Sequence, residues 1–216
     1  MYVILCQPRN VPNDLEAQMR LSNTTHEARA WRIREIAPDF RLEDAWVLPV
    51  RGGIKDFTRL LEVVGSLDLS KGDSCATRAL FRIRWRVGEL LGWDSPRGAL
   101  PVPGNTEASL IARLPEDLRG TATDAGTSPF TPLFRTDVEW AGEVSNRTVH
   151  AVMQLAWVET AADLYQGRLA VYVKPRGRLG TAYMAAIAPF RHLVVYPALI
   201  REIERGWNAR GVQAPA

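Results

Sequence analysis

Two stretches of the chain alternate apolar and polar positions with the period of a β-strand. Between Arg147 and Val158, the residues Val149, Ala151, Met153, Leu155 and Trp157 fall on one side, and Thr148, His150, Val152, Gln154 and Ala156 on the other. Between Tyr165 and Lys174, Leu169, Val171 and Val173 oppose Arg168, Ala170, Tyr172 and Lys174. Successive strand side chains point to opposite faces, so each stretch predicts a two-faced strand. The short polar link between them predicts an antiparallel hairpin. Earlier in the chain, Phe40, Leu42 and Trp46-Val47-Leu48 read as an extended stretch ended by Pro49 and Gly52-Gly53. Trp31, Ile33 and Ile36 read as a short strand before it.

Other segments carry helical spacing. Phe57, Leu60, Leu61 and Val64 form one stripe and predict a helix from Asp56 to Val64, stopped by Gly65. Leu80, Ile83, Val87 and Leu91 predict a second, N-capped by Asp73 or Ser74 and ended by Gly92. Thr136 followed by Glu139 has the form of a capping box and predicts a short helix through about Val144. Residues 93 to 130 carry Pro96, Pro101, Pro103, Pro115 and Pro129 and read as a long loop region. From Thr181 to Trp207, the residues Tyr183, Ile187, Phe190, Val194, Tyr196, Ile200, Ile203 and Trp207 give a long helix with a continuous apolar face. Pro189 and Pro197 lie inside it. Each lacks an amide hydrogen, so the helix is expected to kink and to depend on packing.

This order predicts an α+β fold: an antiparallel curved sheet packed on a long C-terminal helix, with two short helices between the first strands. A long helix laid across a curved sheet leaves room for a cavity between them.

Composition narrows the class. The chain has 216 residues, 46% of them hydrophobic and 24% charged, which suits one globular domain and excludes a disordered chain. Residues 1–25 show no sustained periodicity and read as a tail or arm, with Met19 an alternative start. A single domain is expected over 26–207, followed by a tail at 208–216. Uncharged apolar runs such as Leu193 to Ile200 fall well short of the roughly 20 residues that cross a bilayer, so no membrane partner is expected. The net charge is +3, with acidic residues interspersed among the arginines, so no nucleic-acid partner is expected either. Cys6 and Cys75 lie far apart without a CxxC spacing, which fits a reducing cytoplasm. Met1 to Cys6 is too short for the apolar region of a signal peptide.

Several residues are candidates for chemistry. Gly72-Asp73-Ser74-Cys75-Ala76 has the look of a hydrolase nucleophile motif. Polar residues precede it instead of a strand, and helix capping accounts for Asp73 and Ser74. Arg78, Arg82 and Arg86 form a ridge interleaved with Phe81 and Trp85, which are the flank of the predicted helix stripe. His26, His150 and His192 show no metal-ligand spacing, and neither metal nor cofactor is expected. His150 shares a strand face with Thr148 and Gln154. It is either a structurally bonded histidine or, where that face lines a cavity, a ligand donor or general base. Lys174, Arg176 and Arg178 lead into the start of the last helix, where backbone N–H groups attract anions. They are a candidate anion site, with a solvated basic turn as the alternative.

Four separated segments resemble a known family. They are Ala37-Pro38-Asp39-Phe40-Arg41-Leu42-Glu43-Asp44-Ala45-Trp46; Arg78-Ala79-Leu80-Phe81 running to Gly88-Glu89-Leu90-Leu91-Gly92-Trp93; Asn146-Arg147-Thr148-Val149-His150; and Gly180-Thr181-Ala182-Tyr183-Met184 through Pro189-Phe190-Arg191-His192 to Tyr196-Pro197. Together they resemble the uncharacterised bacterial family called domain of unknown function 2867. The resemblance implies membership of the START-like helix-grip (SRPBCC) superfamily, in which a sheet wraps a long C-terminal helix and often binds apolar small molecules. It implies no catalytic residue. The expectation is therefore an apolar or amphipathic small molecule held between sheet and C-terminal helix. Its ligand-binding residues would be His150, Gln154, Tyr172, Tyr183 and Phe190, with an acidic end near Lys174, Arg176 and Arg178. Two alternatives stand beside it: a cyclase- or hydratase-like enzyme with His150 as acid or base, and an interaction module without ligand, whose cavity would be filled by large side chains.

Overall fold

The computed structural model describes residues 19–67, 109–123, 130–145 and 148–211. The predicted hairpin is the centre of the fold. Strands β4 (Val149–Ala161) and β5 (Leu164–Pro175) pair antiparallel through a tight turn in which Asp163 takes φ 58°. β1 (Arg41–Gly52) pairs with β5 on one side. β3 (Glu139–Ser145) pairs with β4 on the other, and β2 (Thr131–Arg135) closes that edge. The sheet is antiparallel throughout, in the order β1-β5-β4-β3-β2.

The alternation in the sequence sorts this sheet into two covered faces. On the first face, Val152, Ala156, Ala170 and Tyr172 pack against Trp31, Ile33, Ile36 and Phe40, and against Leu110, Leu114 and Leu118 of two 3-10 turns (Leu110–Arg113 and Glu116–Leu118). On the second face, Leu155, Trp157 and Leu169 pack against α3 (Phe57–Gly65) and the C-terminal helix. Burying apolar side chains on both faces is what holds a sheet between two layers. The expected helix from Asp73 to Leu91, with its arginine ridge and the Ser74 motif, lies outside the described residues.

The C-terminal helix runs as α4 (Gly177–Phe190), a π-helical turn (Arg191–Val195) and α5 (Tyr196–Gly211). The prolines do not break it. Pro189 precedes the π turn and Pro197 follows it, so the wider turn absorbs the shift in hydrogen bonding between them. Gly180 is needed where α4 meets the sheet, because a Cβ there would collide with the Thr148 carbonyl oxygen. By length and composition, Gly180–Arg210 is long and apolar enough to cross a membrane, a property that Arg191 conceals from a search for uncharged runs. Here its α5 half supplies Ile200, Ile203 and Trp207 to the core, while only 22% of its most apolar window is buried.

Two segments differ from the sequence expectation. Residues Arg32–Ile36 form a short helix, α2, instead of a strand, and a further helix, α1, spans Asn23–Glu27. Glu139 starts strand β3, with Thr136 in the turn before it, where a helix was expected. The Thr136 hydroxyl does accept the Glu139 amide, as a cap would, but within the turn between β2 and β3. The boundary expected at residue 25 falls in a segment laid along β1, where Leu21 N donates to Ala45 O at 2.9 Å. The helix continues to Gly211, past the expected end at 207.

Candidate functional site

The face opposite the C-terminal helix carries a layer of buried polar groups. Glu139 projects from the first residue of β3 and accepts the amides of Arg32 and Ile33 at 2.9 and 3.1 Å, capping the start of α2. Burial pushes its carboxyl above the usual carboxylate range, against those hydrogen bonds. Gln154 donates to Glu139 at 2.8 Å and accepts from His26 Nε2 at 2.9 Å. His26 is stacked on Trp31, and burial lowers its pKa to about 4. Nearby, Glu143 accepts from His150 Nε2 at 2.7 Å, from the Leu110 amide at 3.0 Å and from the Ser109 hydroxyl. Burial raises the Glu143 carboxyl, but these hydrogen bonds outweigh it and hold the group below its ordinary value. His150 is 3% exposed, with Phe40 edge-on to its ring. This layer ties the N-terminal segment and the 3-10 turns to the sheet.

The residues expected to line one cavity are thus divided between two faces. His150, Gln154 and Tyr172 lie beneath the N-terminal segment, in a densely packed layer. Tyr183 and Phe190 lie on α4, across the sheet from them and half-buried. The basic residues are also dispersed. Lys174 pairs with Asp39 at 3.0 Å and Arg176 donates to Ser145 at 2.6 Å. Arg178 is exposed and, with Thr181, Ala182 and Ala185, borders an open, shallow depression of about 590 Å³ at the start of α4. Among the described residues, no group of three His, Cys, Asp or Glu side chains is placed to hold a metal ion.

The helix face holds a second polar cluster, built from two irregularities that meet. β1 has a register shift between Leu42 and Asp44. Leu42 packs on the first face, and Trp46 and Leu48 on the second. The extra residue brings the Glu43 and Asp44 carboxylates within reach of the same helix, as bulges commonly re-aim side chains. The π turn presents Arg191 and His192 opposite them. His192 Nε2 donates to Asp44 Oδ1 at 2.6 Å, and the Tyr196 hydroxyl donates to Asp44 Oδ2 at 2.8 Å. Arg191 lies 3.0 Å from Glu43 and 3.3 Å from Asp44. Asp44 is 1% exposed and His192 26%. Burial, reinforced by the Asp44 charge, pushes the Tyr196 hydroxyl well above its usual pKa, so it remains a donor.

This cluster borders a loosely covered apolar patch. Val149, Ala151 and Val173 face Met184, while Val144, Val171, Tyr183 and Ile187 around them are only partly buried. Asp44 is the cross-strand partner of Val171, and Arg191 Nη1 lies 3.7 Å from Met184 Sδ. The α5 half of the helix packs Tyr196 and Trp207 against Trp46 and Trp157; the α4 half covers its apolar patch less completely.

A family model described as protein of unknown function (DUF2867) matches residues 36–198. The chain belongs to the DUF2867 family. No curated protein and no solved structure matches it. In this DUF2867 chain, two of the segments that carried the resemblance meet in space: the one ending in Asp44-Ala45-Trp46 and the one containing Arg191-His192 and Tyr196. The sequence placed His192 and Asp44 in segments that carry the resemblance but gave neither a role in the site. A signal was present. Asp44 is in phase with Trp46, Leu48 and Val50 along β1, and a carboxylate on an apolar strand face requires partners.

Proposed function

We propose that this chain binds an amphipathic small molecule in the cleft between the sheet and α4. The observation that carries the reading is the half-open apolar cluster of Val144, Ala151, Val171, Tyr183, Met184 and Ile187, closed at one end by the Asp44–His192 pair. Apolar walls with a few fixed polar groups are the usual makeup of a ligand site. The reading keeps the location expected from the sequence, between sheet and C-terminal helix. Its polar group is His192, with Tyr183 as a wall; His150, Gln154 and Tyr172 act as structural anchors on the other face. The strand order, with β1 beside the last strand and the long helix laid across, supports a place among START-like helix-grip proteins, and that placement is part of the proposal.

Binding of the neutral dye Nile red tests the reading. Ala151→Leu fills the cleft and is expected to abolish dye binding with little loss of stability. Ala156→Leu, on the dense opposite face where Ala156 is 0% exposed, is expected to cost about 1–3 kcal/mol in unfolding free energy and to leave dye binding intact. Unchanged dye binding in Ala151→Leu would remove the cleft reading.

A further inference from the structure

We infer that the ligand of this cleft is a neutral amphipath with a hydrogen-bond donor in its head, an alcohol or a primary amide, and that His192 Nδ1 accepts that donor. The inference rests on the cleft reading and adds the chemistry of the ligand.

The geometry of the ring leads to it. Asp44 is acceptor-only as a carboxylate, so the 2.6 Å contact fixes a hydrogen on His192 Nε2. In the neutral imidazole the lone pair then sits on Nδ1, which makes no hydrogen bond among the described residues, and the ring is about a quarter exposed. The ring is held in place. It stacks on Tyr196 with centroids 6.1 Å apart and abuts Trp46 at 6.2 Å. An acceptor on a ring held in this way is a fixed polar point beside the apolar cluster.

The surrounding charges select against an acid. Asp44 touches the ring, and a second carboxylate, Glu43, shares Arg191 with it. The cations near them are already matched: Arg191 serves both, and Arg41 lies 2.6 Å from Glu43. An anionic head would meet the like charge of two carboxylates whose nearest cations among the described residues already pair with them, and an ester head would offer no hydrogen to Nδ1. A hydroxyl or an amide N–H supplies what the site lacks. The position fits as well. Val171, opposite Asp44, and Met184, beside Arg191, both belong to the apolar cluster, so an alkyl chain packed there brings its head to His192.

The test uses the full chain at pH 9, with displacement of Nile red by four probes of equal chain length: 1-decanol, decanamide, methyl decanoate and decanoate. Decanol and decanamide are expected to displace the dye at up to about tenfold lower concentration than the other two, the size of one hydrogen bond. His192→Phe is expected to bring decanol to the level of methyl decanoate and to leave methyl decanoate unchanged. His192→Leu serves if the Phe variant loses cooperative unfolding. Equal displacement by all four probes, or a preference for decanoate, would overturn the head-group assignment while the cleft reading stood. A wild-type chain that takes up neither dye nor probe would overturn both.

Discussion

At the scale of single residues, the molecule is organised by buried acids that each hold something else in place. Glu139 holds the start of α2, Glu143 holds His150 and the Leu110 turn, and Asp44 holds His192 and Tyr196. None of these partnerships is local in sequence except that of Glu143 with His150, which is why spacing rules did not reveal them. The Thr136–Glu139 pair illustrates the point. Glu139 is indeed a helix cap, but of a helix more than a hundred residues earlier. The same layer gives a pH dependence. Burial lowers the His26 pKa from 6.5 to about 4, so the unfolded chain binds this proton more readily than the folded one. Stability is then fully present above pH 6.5 and is lost as the pH falls towards 4, by roughly 3 kcal/mol from this group. Denaturant titrations between pH 7 and 4 are expected to show this fall in the wild type and a smaller one in His26→Gln. Parallel curves for the two proteins would show that His26 does not carry the effect.

At the scale of elements, clean periodicity was legible and tertiary context was not. Strands β4 and β5, helix α3 and the long C-terminal helix follow directly from spacing, because the helices present one apolar stripe and the strands alternate between two faces. Helix α2 differs from the expected strand: over the six residues from Trp31 to Ile36, the spacing of Trp31, Ile33 and Ile36 fits either period, and the deciding contact is the cap from Glu139. The C-terminal helix read as one uniform apolar face, yet its two halves behave differently. Ile203 is 0% exposed in the α5 half, and Phe190, at the end of α4, is half-buried. Ile203→Ala is therefore expected to cost about 2–5 kcal/mol and Phe190→Ala clearly less. Urea unfolding midpoints of the two variants check this, and equal losses would contradict the loose seating of α4.

At the scale of the whole molecule, the sheet is covered on both sides, but by layers of different quality. The N-terminal segment and the 3-10 turns seal one face around Tyr172, Phe134 and Ile33. The C-terminal helix seals the other only where α5 lies, leaving the α4 end half-open beside the Asp44–His192 pair. The sequence showed that two faces exist and which side chains share each. It did not show which face the long helix would take, because both alternating sets are apolar enough to be buried. Hence the expected site set mixed residues from opposite sides of the sheet. The claim that remains central is that a small molecule occupies the space under α4. Native mass spectrometry of the purified full chain tests it most directly. The account predicts a bound species of a few hundred daltons on the wild type, released by mild activation and missing from Ala151→Leu. Bare chain mass for the wild type, together with a marked loss of stability in Ala151→Leu, would show a packed core in place of a cleft and contradict it.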